Sequence, residues 1–116
     1  MPKKTKPLSG APVGNGVIQL GDASPGTEVH TATGVTSDDE VDEIWLWASN
    51  TSVADVVLTL EVGGTGVANE IDVTVPANGA VPVLQGHPVN NGIAIAGYAA
   101  TASVVNVYGF VERNSQ

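Results

Sequence analysis

Cysteine is missing from this 116-residue sequence, and there are only four lysine and arginine residues against twelve acidic ones. Without cysteine the chain has no disulfides, thiolate zinc sites or cysteine nucleophiles, and its redox compartment stays undecided. The most apolar stretch, residues 92–102, is too short and too rich in Gly and Ala to span a bilayer. Residues 1–12 contain lysines but no continuous apolar segment of a signal peptide. We therefore expect neither a membrane segment nor export by a signal peptide.

Positive charge is concentrated at the start of the chain. Lys3, Lys4 and Lys6 lie in the first six residues, and Arg113 is the one lysine or arginine among residues 7–116, which carry all twelve acidic residues. A body this acidic repels phosphate backbones, so we expect no binding to nucleic acid. Charged residues make up only 14% of the chain, against about 25% in typical soluble domains. This low fraction predicts a surface partly covered by neighbouring subunits.

The pattern of apolar residues predicts an all-β protein. Val and Thr are frequent and favour strands, while fourteen Gly and seven Pro interrupt any long helical period. Short alternating runs separated by turn residues predict about eight strands, as in sandwiches and barrels. They lie at residues 17–20, 27–33, 41–48, 53–62, 71–75, 81–83, 93–99 and 102–112. The predicted fold is an antiparallel β-sandwich or jelly-roll-like barrel over residues 17–116, a single domain.

Residues 1–16 differ from this domain in composition. They combine Lys, Pro, Gly and Ser with hardly any large apolar side chain, so they are expected to form no helix and to stay out of the core. We interpret the segment as an extended basic N-terminal arm that is mobile in the free protein and docks on an acidic neighbouring surface. The alternative is a plain disordered tail without a function.

Local patterns give more detailed expectations for the strands. Residues 76–79, Pro-Ala-Asn-Gly, are a turn signal that predicts a hairpin between the strands on either side. Pro82 has no N–H for a ladder, so its strand should lie at a sheet edge or contain a bulge. Alternation along residues 53–62 directs Leu58 and Leu60 inward and Glu61 outward.

Candidate catalytic groups are sparse. A nucleophile activated by a base requires a His within reach of a Ser or Thr, and His30 and His87 are the two histidines. His30 lies in an alternating run and His87 in a Gly-His-Pro turn, so both are interpreted as surface or edge residues. We predict no enzyme activity, no catalytic residue, no cofactor and no metal site.

The acidic run at residues 38–43 is the densest charge cluster. Its carboxylates could bind Ca²⁺ through oxygen ligands, but the run lacks the central Gly and closing Glu of an EF-hand loop. We interpret it as a solvated acidic loop, with calcium binding as the open alternative.

Trp45 and Trp47 form the strongest candidate binding feature. They are two residues apart, so one face of their strand presents both rings while Ile44, Leu46 and Ala48 form the other face. Rings in this arrangement seal a core or a subunit contact, or stack on sugars. If the Trp47 ring is fully buried, Trp47→Ala should cost about 3–5 kcal/mol.

Five segments resemble small virion proteins of tailed bacteriophages. They are LGDASPGTEVHTA at residues 20–32, DEIWLWASN at 42–50, IDVTVPA at 71–77, VNNGI at 89–93 and AATASVVNVYGFVER at 99–113. The likeness extends over about residues 17–113, and its motifs are structural rather than catalytic.

The resemblance implies a β-sandwich or jelly-roll-like subunit of the decoration or cement type on the capsid exterior. Such subunits are commonly trimeric and bind at junctions between major capsid proteins. The expected partners are therefore the major capsid protein and further copies of this chain, through Lys3, Lys4, Lys6, Trp45 and Trp47. Two alternatives stay open: a carbohydrate-binding β-sandwich module, and a tail or head-fibre component.

Overall fold

The computed structural model describes residues 3–12 and 16–115 and contains nine β-strands among them. Every strand predicted from the sequence is present, and one more precedes them. The strands are β1 (Lys3–Pro7), β2 (Val17–Gln19), β3 (Thr27–Thr31), β4 (Glu40–Asn50), β5 (Val56–Val62), β6 (Glu70–Val75), β7 (Ala80–Val89), β8 (Ala94–Ala99) and β9 (Val105–Ser115). A 3-10 turn, Val67–Asn69, lies between β5 and β6. None of the helical segments in the described part of the chain is long and apolar enough to cross a membrane.

The strands form two open antiparallel sheets, which we call sheet A and sheet B. Sheet A has the order β1-β9-β4-β7, with β2 also paired to β9, and sheet B has the order β3-β8-β5-β6. Buried side chains from both sheets form one core. The prediction of an all-β sandwich is confirmed, and because both sheets are open, the barrel alternative does not apply.

Period-two alternation explains how the core forms. Strands β4 and β9 pair along their whole length at the centre of sheet A. In β4, Ile44, Leu46 and Ala48 are fully buried, as their alternating pattern predicted. In β9, Val105, Val107 and Val111 are equally inaccessible. Burial of this kind contributes about 25 cal/mol per Å² of apolar surface, so the inward side chains of these two strands stabilise the sandwich.

The N-terminal segment differs from its prediction. Residues Lys3–Pro7 pair with β9 in antiparallel register, and Leu8 enters the core with 2% of its surface exposed. The expectation that the segment stays out of the core is therefore wrong at Leu8. Backbone pairing does not depend on large apolar side chains, which is why composition did not indicate this strand. Residues 1, 2 and 13–15 of the predicted arm lie outside the described residues.

The turn at residues 76–79 connects the two sheets. β6 belongs to sheet B and β7 to sheet A, so the predicted hairpin is wrong although the turn itself forms, with a hydrogen bond from Gly79 N–H to Pro76 O of 3.0 Å. Sequence patterns of this length indicate a reversal but not the sheet to which the next strand belongs. Pro82 lies in β7, an edge strand with two register shifts against β4, which confirms its predicted position.

Two polar residues have burial that alternation did not predict. Glu61 was expected to face outward into solvent, but it is only 2% exposed, because residues 24–26 fold over it. Its carboxylate accepts hydrogen bonds from Ser24 Oγ and from Gly26 N–H. His87 lies within β7 and is half-buried, so the predicted Gly-His-Pro turn is a strand segment with Gly86 at a positive φ of 78°.

Candidate functional site: the aromatic face of sheet A

Four of the aromatic side chains share the outward surface of sheet A, which we call the aromatic face. In the register of β4 and β9, Trp45 lies opposite Phe110 and Trp47 opposite Tyr108. Directly opposed residues of an antiparallel pair project to the same side, so the four rings form one cluster. The rings are half-buried, whereas their neighbours Ile44 and Leu46 are inaccessible.

The rings contact one another in a continuous row. Trp45 and Phe110 are near parallel, with 6.2 Å between ring centroids, and so are Trp47 and Tyr108. Trp47 and Phe110, at 6.1 Å and a tilt of 33°, link the two pairs. Aromatic pairs at such separations contribute about 0.5–1.5 kcal/mol beyond their buried area, so the ring contacts stabilise this surface.

Two glycines let the backbone approach Trp45. Gly109 has a φ of 154°, and a Cβ at this position would lie 1.9 Å from the Trp45 carbonyl oxygen. Gly86 lies at the register shift of β7 against β4, and its Cβ would lie 3.1 Å from Cζ2 of the Trp45 ring. The indole therefore packs against a bare backbone edge. Its Nε1 is buried and has no acceptor among the described residues.

Two grooves flank the row of rings. The larger one, of about 520 Å³, is lined by Val17, Trp47, Tyr108 and Phe110 with Gly16 and Gly109, and none of these residues is charged. The second, of about 330 Å³, is lined by Lys3, Glu43, Trp45, Phe110 and Glu112. The aromatic face is thus apolar at its β2 end and charged at its β1 end.

The structure separates the three lysines that the sequence placed together. Cross-strand partners share a face, so Lys3, opposite Asn114, lies on the same side as the aromatic rings. Its Nζ is 3.7 Å from Glu43 Oε1. Lys4 and Lys6 lie opposite Arg113 and Val111 and project to the other side of the sheet edge. Neither makes an ion pair with any residue in the described ranges.

Trp45 and Trp47 therefore lie outside the core of their own chain. Of the uses predicted for them, a subunit contact and glycan stacking both require rings on an accessible face, and this is where the rings lie. The condition of full burial attached to the expected cost of Trp47→Ala is not met in the single chain.

A cluster of polar residues joins the two sheets on the other side of sheet A. We call it the inter-sheet network, and it consists of Ser9, His30, Thr33, Asp42 and Arg113. His30 is 2% exposed, because a β-bulge between Glu28 and His30 buries two successive side chains, Val29 and His30. Ser9 N–H donates to His30 Nδ1 at 3.0 Å, and His30 Nε2 lies 2.9 Å from Asp42 Oδ2. The interpretation of His30 as a surface residue is wrong, although its strand is an edge strand.

This geometry does not form a nucleophile–base pair. Both imidazole nitrogens of His30 are engaged, one by a backbone N–H and the other by Asp42. Ser9 Oγ instead accepts from Thr31 N–H at 2.8 Å and donates to Glu28 Oε2 at 3.3 Å. A catalytic serine would need its hydroxyl hydrogen-bonded to the imidazole. The hydrogen bonds of Ser9 instead attach the N-terminal segment to β3.

Asp42 is the centre of the inter-sheet network. It is fully buried and accepts two hydrogen bonds from Arg113, of 2.6 and 3.0 Å, and one from Thr33 N–H. Burial raises the pKa of Asp42, but hydrogen bonds from Arg113, His30 and Thr33 outweigh it, and the pKa lies below its usual value. The pKa of Glu40 is also lowered, by hydrogen bonds from Thr33 and Ser115.

The acidic run 38–43 is divided by this network. Asp42 is directed inward to His30 and Arg113, whereas Asp39 is exposed and Glu43 lies by Lys3. Across residues 3–12 and 16–115, no group of three or more His, Cys, Asp or Glu residues is arranged to hold a metal ion.

Comparison of the chain with family models, with curated proteins and with solved structures gave no match. Its function is therefore inferred from the surfaces described above.

Proposed function

We propose that this protein is a structural subunit of a phage virion that decorates and stabilises the outer surface of the capsid. The observation that carries the proposal is the aromatic face, a row of four rings beside a groove without charged residues. The rest of the chain is strongly acidic. An accessible aromatic cluster of this kind is typical of protein–protein interfaces, whose centres are rich in Trp, Tyr and Phe and poor in charge.

In this proposal the aromatic face joins copies of the chain into a homo-oligomer, expected to be a trimer. Self-association would cover Val17 and the four rings, and it would account for the low charged fraction of the sequence. Trp and Tyr in such positions carry most of the binding free energy of an interface.

Docking on the major capsid protein uses the lysines of β1. Lys4 and Lys6 are free of ion pairs within the described part of the chain and lie at the edge of sheet A. Each exposed ion pair contributes about 0–1 kcal/mol, so they tune affinity while backbone and apolar contacts supply the rest.

The oligomer is tested with two matched valines. Val17 and Val57 are both 41% exposed, but Val17 lines the groove of the aromatic face and Val57 lies in sheet B. Light scattering and sedimentation should show a trimer for the wild type and for Val57→Glu, and a monomer for Val17→Glu. A wild-type monomer at micromolar concentration, or equal behaviour of both variants, contradicts the use of this face for self-association.

Capsid docking is tested by charge removal rather than by truncation, because deleting the segment would also remove buried Leu8. Lys4→Gln with Lys6→Gln should bind heads of the parent phage more weakly and with a smaller dependence on salt. Thr5→Val, between them, is the control that keeps both charges. Equal affinity and an equal salt dependence for the double variant would rule out these lysines. A density map of the particle would separate a capsid location from a tail or head-fibre one.

Carbohydrate binding is the second candidate, favoured by near-parallel, half-exposed rings beside an open groove of about 520 Å³. It predicts saccharide-dependent quenching of Trp fluorescence in the wild type and none in Trp47→Ala. If the wild-type protein is instead a monomer and binds saccharides on a glycan array, carbohydrate binding is favoured over decoration.

A further inference from the structure

Among the described residues, five strands lie at the edges of the two sheets, and four of them are protected. β2 is protected by its length of only three residues. β7 contains Pro82 and Pro88 and two register shifts, and β1 carries three lysines and Pro7. The edge of β3 has a bulge and is covered by residues 9 and 10, through hydrogen bonds from Gly10 N–H to Val29 O and from Thr31 N–H to Ser9 Oγ. Prolines, lysines, bulges and covering loops are the usual means of preventing a further strand from pairing.

β6 has none of these protections. It contains no proline or lysine, pairs with β5 without a register shift, and has no strand on its other side among the described residues. We call this other side the open β6 edge.

The direction of the backbone groups at this edge follows from the neighbouring strand. Val57 O accepts from Ala100 N–H, and Gly63 N–H donates to Ala94 O, so these residues of the β5 region turn their backbone groups towards β8. Alternate residues point in opposite directions, so Leu58 turns towards β6 and pairs with Val73. Asp72 and Thr74 therefore direct their N–H and C=O groups out of the open β6 edge.

The side chains along the edge specify what could pair there. Ile71 and Val73 face the core side but remain half-buried, and Ile71 packs against the core cluster. Glu70 and Asp72 project from the outer surface of sheet B. They form hydrogen bonds with Tyr98 and Thr59, and neither makes an ion pair with a cation among the described residues. An added strand would cover the apolar side chains with its inward residues and face the carboxylates with its outward ones.

We propose that the open β6 edge accepts an extended segment of a partner polypeptide as a fifth strand of sheet B. The segment alternates apolar and cationic residues, so that its apolar side chains cover Ile71 and Val73 while its Lys or Arg side chains pair with Glu70 and Asp72. Backbone hydrogen bonds to Asp72 and Thr74 supply the affinity, and the alternation supplies the specificity. This site lies on a different sheet from the aromatic face and is independent of it.

A synthetic peptide that alternates Lys and Val is the probe, with a Glu-Val alternating peptide and a block Lys-then-Val peptide as controls. At a saturating concentration of the alternating Lys-Val peptide, hydrogen exchange of the backbone amides of Asp72 and Thr74 should slow by about tenfold or more. The control peptides should leave both amides unprotected.

Thr74→Pro is the discriminating variant. It removes an N–H that faces out of the sheet and serves no hydrogen bond within it, just as Pro82 lacks an N–H in the edge strand β7. The fold should therefore be retained while peptide binding is lost. Glu70→Lys with Asp72→Lys should reverse the preference towards the Glu-Val peptide. Three outcomes overturn the proposal: protection at β3 or β7 instead, binding that survives Thr74→Pro, or protection that rises with protein concentration without peptide, which would make the edge a contact between copies.

Discussion

His30 in β3 and Asp42 in β4 join the two sheets through a distance of 2.9 Å between Nε2 and Oδ2, and both residues are buried. Because Ser9 N–H donates to Nδ1, the hydrogen of the neutral imidazole lies on Nε2 and is donated to Asp42. Arg113 in β9 completes the network from the other side. The Asp42 carboxylate thus joins three strands, and His30 connects them to the N-terminal segment.

Asp42→Ala should destabilise the protein by about 3–5 kcal/mol. The substitution leaves the Arg113 guanidinium without its partner and deprives His30 and Thr33 N–H of their acceptor. Urea denaturation measures the change. Asp39→Ala, in the exposed part of the same acidic run, is the matched control and should change the free energy of unfolding by less than about 0.5 kcal/mol. Equal losses in both variants would contradict the role assigned to the network.

Stability should fall in acid as Asp42 and Glu40 are protonated. The pKa of each carboxyl is lowered in the folded state, so the unfolded chain takes up protons first as the pH drops. Their contribution is complete above the unfolded pKa, near 4, and is lost as the pH falls through the lower folded pKa. The urea midpoint measured from pH 7 to pH 2 should show this loss, and Glu40→Gln should reduce its slope. A slope unchanged by Glu40→Gln would contradict the contribution of Glu40.

Gly109→Ala should be among the most damaging single-methyl additions, costing about 3 kcal/mol or more. Its Cβ would overlap the Trp45 carbonyl, and its φ of 154° is unfavourable for any L side chain. Gly34→Ala is the control, since a Cβ there meets nothing within 4 Å. Thermal melting compares the two variants, and a Gly109→Ala melting temperature close to that of Gly34→Ala would be inconsistent with the close approach at Trp45.

Trp47 and Tyr108 should show a coupling of about 0.5–1.5 kcal/mol in a double-mutant cycle of alanine substitutions. The cycle is measured below the concentration at which the protein self-associates, so that it reports on the single chain. Leu46→Ala, on the buried side of the same strand, should cost about 2–5 kcal/mol and show no such coupling with Tyr108. A coupling near zero would mean that the rings do not support one another.

Sequence patterns predicted the sandwich because alternation is a local property. The division of β4 into Ile44 and Leu46 on one side and Trp45 and Trp47 on the other follows directly from a period of two. The edge position of Pro82 was equally predictable, since a residue without an N–H cannot serve a central strand. The candidate aromatic site was therefore half visible from the sequence, in its two tryptophans.

The burial of two polar residues was mispredicted, one because of a register shift and the other because of a covering loop. The bulge at Val29 buries His30, and residues 24–26 cover Glu61, so two residues expected at the surface became interior. A mixed run of polar and apolar residues carries no signal for a bulge or for a covering loop.

By itself the sequence determined the all-β class, the approximate positions of β2 to β9, the acidic charge and the placement of Trp45 and Trp47 on one face, because these depend on composition and on neighbours along the chain. Only the tertiary structure decided that Tyr108 and Phe110 complete the aromatic face, that Asp42 joins His30 to Arg113, and that β6 has an open edge. Those relationships arise between strands far apart in sequence, and their pairing is fixed by the burial of a common core rather than by any local preference.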